Sequence, residues 1–164
     1  MFSPPEFEHK ILQWATLKTG HTLPRPLVFT NGCFDVLHRG HITYLAQARS
    51  LGATLVVAVN SDASVKQQKK GADRPINTLA DRMAMLAALA SVDRVLSFDA
   101  DTPLALINLL RPDVLVKGGD WSPQAIIGAN EVLSWGGMVH AIPFVYQRST
   151  TALLQRIRSS HETG

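Results

Sequence analysis

Two histidines three residues apart, His38 and His41, flank Gly40 in the stretch FTNGCFDVLHRGHITYLAQA, residues 29–48. Leu27, Val28 and Phe29 form the apolar end of a buried parallel strand, and beyond His38 the apolar spacing becomes helical. The histidines therefore fall where a strand gives way to a helix, beside that helix's first unpaired N–H groups. Such a helix start binds phosphate, and an imidazole pair adds donors where a polyphosphate would lie. Groups of the same bias follow along the chain: Lys66, Lys69 and Lys70, then Arg74, Arg82, Lys117 with Asp120, and the run Arg148-Ser149-Thr150-Thr151. All suit an anionic ligand. The lysines equally suit a solvated face, Arg74 and Arg82 ordinary ion pairs, and Asp120 and Ser149–Thr151 plain helix caps.

Two rival chemistries are weaker on these residues. Zinc needs three or four protein ligands, and only Asp35 stands near enough in sequence to join the histidines. Asp35 either caps the turn through its own side chain or positions a ligand or metal. Cys33 beside the histidines suggests a thiol nucleophile, but a small buried side chain is the simpler reading.

The elements that must position these groups alternate along the chain. Residues 6–18 have the pattern of an amphipathic helix, with Ile11, Leu12, Trp14 and Ala15 on its apolar side. After the first strand, Ile42, Leu45 and Ala46 are expected to pack the histidine-bearing helix on a sheet, with Gly32 giving the turn and Gly52 the helix stop. Strands are expected at 54–60, 94–98, 113–121 and 138–144. Residues 61–77 make a polar loop or frayed helix. Thr78, with Asp81 three residues on, caps a helix whose buried face is Leu79, Met83, Leu86, Ala87 and Ala90. Thr102-Pro103 opens the next helix, which Arg111-Pro112 closes. Ser122-Pro123 opens another, to about Trp135, and Ser149–Thr151 opens the last. Strand–helix alternation predicts one α/β domain: a Rossmann-like, doubly wound, parallel five-stranded sheet with helices on both faces. Residues 1–25 are a helix and lead-in packing on the domain proper, residues 26–164. Ligands bind such sheets beyond the carboxyl ends of the strands. The histidines, lysines, Lys117–Asp120 and Arg148–Thr151 all follow strand ends, so four loops are expected to converge on one rim.

Composition narrows the class. The chain has 164 residues, 46% hydrophobic and 18% charged, enough for one sizeable core. No apolar run approaches a membrane span, and MFSPPEFEHK lacks the apolar region of a signal peptide. A single cysteine fits a reducing, cytoplasmic setting. The net charge of +3 is modest and its cations are dispersed, which argues against nucleic acid and leaves a small anionic substrate.

The string G-C-F-D-x-L-H-x-G-H resembles the signature of the His-x-Gly-His nucleotidyltransferase superfamily, which includes the cytidylyltransferases. The longer FTNGCFDVLHRGH and VKGGDW, residues 116–121, are most similar to the heptose 1-phosphate adenylyltransferase family. RSTTALLQRI resembles the cytidylyltransferase R-x-x-x-I-S-T-T motif with the spacer missing, and LADR matches an E-x-R-like string ending at Arg82. The resemblance runs over roughly residues 6–158.

It implies that ATP and D-glycero-β-D-manno-heptose 1-phosphate give ADP-heptose and pyrophosphate, supplying heptose for lipopolysaccharide core. The sugar phosphate would attack the ATP α-phosphorus directly. His38, His41, Lys66 and Lys69 are then the catalytic candidates. ATP would meet Phe29, Thr30, Asn31, Gly32, Cys33, Phe34, Asp35, Gly40, Arg82, Lys117, Gly118, Ser149, Thr150 and Thr151. The sugar would meet Asp35, Arg74, Gly119, Asp120 and Trp121. Mg²⁺ is expected to arrive with ATP, with no protein metal ligand assigned. A homodimer is expected, acting after a separate heptose kinase and phosphatase. The alternatives are cytidylyl transfer to glycerol 3-phosphate or a similar small phosphate, and a non-catalytic nucleotide-binding sensor. The resembling families accept Thr where Cys33 stands, so Cys33→Ser should keep substantial turnover. Complete loss in a folded Cys33→Ser protein, with a trapped thiol adduct in the parent, contradicts a mechanism without an enzyme nucleophile.

Overall fold

The computed structural model describes residues 3–18, 22–68, 74–146 and 150–161. Strand alternation decides which face each side chain takes. In β1 (Leu27–Gly32), Val28 enters one apolar cluster while Leu27 and Phe29 enter the other. β2 (Thr54–Asn60) sends Leu55, Val57 and Val59 one way, Val56 and Ala58 the other. β3 (Arg94–Phe98), β4 (Val114–Gly118) and β5 (Met138–Ile142) complete a five-stranded sheet in the order β3-β2-β1-β4-β5. Every neighbouring pair is parallel.

α2 (Arg39–Arg49) and α4 (Leu79–Ala87) cover one face with Tyr44, Leu45, Ala48, Met83, Leu86 and Ala87. α1 (Trp14–Lys18), α5 (Leu104–Leu110) and α6 (Ala129–Ser134) cover the other with Leu17, Leu106, Ile107, Ala129 and Val132. α3 (Asp62–Gln67) follows β2, and α7 (Thr150–His161) is the last element. This is the expected doubly wound sheet with helices on both faces. The winding reverses at the β1–β4 pair, so a crevice opens beyond the carboxyl ends of those two strands.

Several elements differ from the sequence expectation, each for a tertiary reason. Residues 6–18 are not one helix: a 3-10 turn, Glu6–Lys10, ends where Ile11 bridges Val95, and Leu12 N–H donates to Val95 O at 2.9 Å before α1 begins. β3 is an edge strand, and its open edge captures the chain. Trp14 Nε1 fixes the crossing with a 2.8 Å bond to Ser97 O. α2 lies with Tyr44, Leu45 and Ala48 inward; Ile42 is 45% exposed and Ala46 is also exposed, so the expected packing face is rotated. α2 ends at Ser50, and Gly52 serves close approach, since a Cβ there would run into the Pro26 carbonyl oxygen.

Residues 62–67 are helical. Pro103 is the N-cap of α5 and not its first residue. The helix expected from Ser122 to Trp135 is a 3-10 turn, Pro123–Ala125, then α6 after Gly128 at φ +90°. The Ile107 side chain occupies the space a Cβ on Gly128 would need, so the break is set by packing on α5. β4, β5 and α4 stop earlier than expected, at Gly118, Ile142 and Ala87. The Thr78 cap forms as expected, accepting from Asp81 N–H at 3.3 Å.

Candidate active site

Beyond β1 the chain turns at Phe34, which sits at φ +49° and is 4% exposed. A bulky residue in the left-handed region costs about 1–3 kcal/mol and persists where surrounding contacts impose it. Gly32 is what admits the ring: a Cβ there would lie 3.0 Å from Phe34 Cε2. The left-handed residue of the turn is thus Phe34, and Gly32 supplies clearance. The Phe34 ring meets His41 edge-on at 5.4 Å and stacks on Tyr44 at 6.4 Å.

His38 is the N-cap residue of α2 and His41 lies in its first turn. Their rings stack at a centroid distance of 3.8 Å and an interplanar angle of 21°. Gly40 makes room, since a Cβ there would be 3.0 Å from Tyr146 O and 3.1 Å from the His38 ring. Phe144 closes the other side, 6.1 Å from His41 and 6.4 Å from His38. Burial, then the charge on His38, lowers His41 to a pKa of about 4. Burial also lowers His38. Both rings are neutral at pH 7, and both Nδ1 atoms are buried without a hydrogen-bond partner among the described residues. Buried polar nitrogens left in this state are costly. An anion beside them reverses that cost by accepting N–H and favouring protonation.

His41 opens on a cavity of about 240 Å³ lined also by Cys33, Phe34, Asp35, Arg74, Thr150 and Thr151. Thr150 donates to Val36 O at 3.3 Å, tying the start of α7 to the turn after β1. Asp35 and Arg74, expected to meet ligand, both line this cavity and are paired with each other. The carboxylate is 1% exposed, pairs with Arg74 Nε, and accepts from Ile76 and Asn77 N–H at 2.8 and 2.9 Å. Arg82 is fully buried. It donates to Cys33 O at 2.6 Å, Asp62 Oδ1 at 2.7 Å and Asn77 O at 3.1 Å. These three charged groups fasten the turn after β1 to residues 74–78 and to α3 and α4. Phe29, expected to floor the nucleotide, is wholly buried in the opposite cluster. Thr30 is equally buried, 3.4 Å from the Tyr44 hydroxyl.

A second cavity of about 230 Å³ lies across the end of β1. Asn31, Lys117 and Trp121 line it, together with Gln68, Pro103 and the segment Ala125–Ile127. Lys117 Nζ donates to Asn31 O and Oδ1 at 3.1 and 3.2 Å and stands 6.0 Å over the Trp121 ring. Gly118 lets Phe144 and Tyr44 approach, since a Cβ there would be 3.0 and 3.1 Å from their rings. Gly119, at φ +113°, donates to Ile142 O at 2.8 Å and joins the ends of β4 and β5. Asp120 and Lys66 are exposed. Cys33 Sγ lies 3.2 Å from Gln68 Oε1. Lys69, Lys70, Arg148 and Ser149 lie outside the described residues.

Gln68, Pro103 and Ala125–Ile127 escaped the sequence reading. Pro103 follows a strand end like the other rim loops, which was the available signal. Ile126-Ile127 has the composition of core and gave none. Among the described residues no group of three or more His, Cys, Asp and Glu is placed to hold a metal ion.

The cytidylyltransferase-like family model matches residues 29–161. The chain is 58% identical over 159 residues to a D-beta-D-heptose 1-phosphate adenylyltransferase of Bordetella bronchiseptica, covering 95% of this chain and 98% of that one. It is 52% identical to the bifunctional protein HldE of Geotalea uraniireducens, over 88% of this chain but only 29% of that longer protein. Among solved structures, a lipopolysaccharide core biosynthesis protein from Thermoplasma volcanium superposes with TM-score 0.60 at 27% identity, covering 74% of this chain and 98% of that one. A pantothenate synthetase from Thermus thermophilus shares the fold, with TM-score 0.58 at 16% identity over 82% of this chain and 61% of that one.

The neutral histidine pair sets an acid limit on stability. The unfolded chain protonates His41 near pH 6.5, whereas the fold holds it neutral to about pH 4. Stability should be flat above pH 6.5 and fall as pH drops towards 4, by on the order of 2–3 kcal/mol for His41. Melting temperature against pH, with and without His41→Asn, checks this. An identical acid profile in His41→Asn contradicts it.

Proposed function

The chain belongs to the cytidylyltransferase-like family of nucleotidyltransferases, and on that premise we propose that it joins ATP and D-glycero-β-D-manno-heptose 1-phosphate into ADP-heptose and pyrophosphate. The observation that carries the substrate is the 58% identity to the Bordetella heptose 1-phosphate adenylyltransferase over nearly the whole of both chains. The chemistry follows from the site. A phosphate oxygen of the sugar attacks the α-phosphorus of ATP in line, one O–P bond forms, and the bond to the leaving pyrophosphate breaks. No enzyme nucleophile is needed, because such transfers rest on positioning and charge neutralisation.

In this reading His38 and His41 donate to the triphosphate, with Phe34 and Tyr44 packed against the His41 ring and Phe144 against both rings. A preorganised donor in such a site acts where charge builds up in the transition state. Ser149, Thr150 and Thr151 take the β- and γ-phosphates at the start of α7. Lys66 and Lys69 clamp the attacking phosphate. Lys117 and Gly118 serve the nucleotide, and Gly119, Asp120 and Trp121 the sugar. Asp35, Arg74 and Arg82 act through the loops they hold. Mg²⁺ arriving with ATP would supply neutralisation of the triphosphate charge, with no residue of this chain assigned to hold it.

We place the enzyme in the cytoplasm; no described helix is long and apolar enough to cross a membrane. A homodimer is supported by α7, where Leu153 and Ile157 are 39% and 49% exposed and a second copy would cover them. Residues 1–25 serve as a packing lead-in to the transferase unit, residues 26–164. A separate heptose kinase and phosphatase supply the substrate.

A panel of nucleoside triphosphates with heptose 1-phosphate, read by pyrophosphate release, tests the reading. ATP should outperform CTP by at least about tenfold in kcat/KM, equivalent to ~1.4 kcal/mol of transition-state discrimination. Equal or better turnover with CTP moves the chain to the cytidylyl branch.

A further inference from the structure

After β5 a short strap of chain crosses the start of α2. Gly119 N–H donates to Ile142 O at 2.8 Å and fixes the point where the strap leaves the sheet. Pro143 and Val145 are exposed, Val145 at 64%, while Phe144 and Tyr146 turn inward and are partly buried. The Phe144 ring meets Tyr44 edge-on at 5.5 Å, and His41 and His38 at 6.1 and 6.4 Å. Two residues on, the Tyr146 carbonyl packs on Gly40, where a Cβ would lie 3.0 Å from its oxygen. The Arg39 guanidinium carbon lies 3.7 Å from the centre of the Tyr146 ring, over its face.

Arg39 has an unfavourable place on its own helix. It is the first residue of α2, whose first turn carries no acidic side chain. A helix start bears partial positive charge and repels a cation. The face of an aromatic ring is negative and attracts one. The stack on Tyr146 therefore offsets the repulsion, and it holds the end of the strap on the helix that bears the histidines. With Tyr146 held there and Ile142 held in the sheet, Phe144 has little freedom to leave the imidazole rings. Resting on the function proposed above, we infer that the Arg39–Tyr146 stack latches residues 143–146 onto α2 and so seats Phe144 against His38 and His41. Arg39 and Tyr146 are positioning residues, acting through Phe144 and not by contact with substrate.

Arg39→Gln removes the cation, Tyr146→Leu removes the aromatic face, and Tyr146→Phe keeps it. For these, the Arg39→Gln, Tyr146→Leu double variant and the unmodified enzyme, four quantities are measured: kcat, ATP affinity, melting temperature and the His41 imidazole titration by NMR. Arg39→Gln and Tyr146→Leu should each lower kcat by about threefold or more, with ATP affinity within about twofold. The double variant should do no worse than the more damaging single one, because both changes remove the same contact. Tyr146→Phe should match the unmodified enzyme. Water admitted beside a loosened Phe144 solvates the imidazolium form, so the His41 midpoint should rise from about 4 towards the ordinary ~6.5. The charged and titratable groups around the pair are Cys33, Asp35 and Arg74 on the cavity wall, Tyr44, and Arg39. Tyr146→Leu leaves all of them in place, so a rise there reports access of water. Weakened ATP binding in Arg39→Gln, with Tyr146→Leu silent, makes Arg39 a direct phosphate contact and overturns the latch. A lower melting temperature with kcat and the His41 titration unchanged makes the stack purely structural and overturns it too. Failure of the unmodified enzyme to turn over heptose 1-phosphate with ATP overturns the proposed function, and the latch is then decided by the titration in Tyr146→Leu.

Discussion

Two imidazole rings 3.8 Å apart, packed among Phe34, Tyr44 and Phe144, resist both becoming imidazolium cations without an anion beside them. That constraint organises the rim of the sheet. Burial keeps the rings neutral, so each offers an N–H without a standing charge, and under the proposed function a polyphosphate would satisfy the unpaired nitrogens. The start of α2 adds backbone N–H groups on the same side. The glycines follow from this arrangement. Gly40 brings the Tyr146 carbonyl and the His38 ring close, and Gly118 lets Phe144 and Tyr44 close over the pair.

A second constraint holds the first in place. Asp35 is buried, and an ionised carboxylate there is tolerable only when paired and hydrogen-bonded. Arg74 and two backbone N–H groups supply this. Arg82 does the same for the Cys33 carbonyl and for Asp62. The left-handed Phe34 thus sits between two anchored residues, which explains how a strained turn persists beside the histidines. Removing one partner leaves the other as a buried unpaired charge, so this network is a positioning device with high stakes.

The fold was legible because its signals are local. Val- and Leu-rich runs separated by capped helices imply a parallel sheet, and parallel strands send every carboxyl end to one rim. The boundaries that were not legible depend on distant residues. Leu12 leaves its helix for the edge of β3, and Gly128 breaks another because Ile107 fills its Cβ space. On α2 the tyrosine hydroxyl disguised a buried position, and the packing face was misplaced onto Ile42 and Ala46. Within the site, charge near a motif suggested ligand contact for Asp35, Arg74 and Arg82, yet their partners lie 39 and 49 residues away in sequence. Phe29 suggested a floor, but strand alternation carries it to the far face. The wall of the second cavity was silent because apolar pairs such as Ile126-Ile127 look like core.

The most direct test of the histidine account is His41→Ala, measured for kcat, ATP affinity and melting temperature on one preparation. A donor that acts mainly in the transition state appears in kcat, and its loss costs about 10²–10³ in rate. ATP affinity, which rests on several other contacts, should change far less. A fall in kcat of under about tenfold, together with a sharp drop in melting temperature, would make His41 a packing residue and contradict the account.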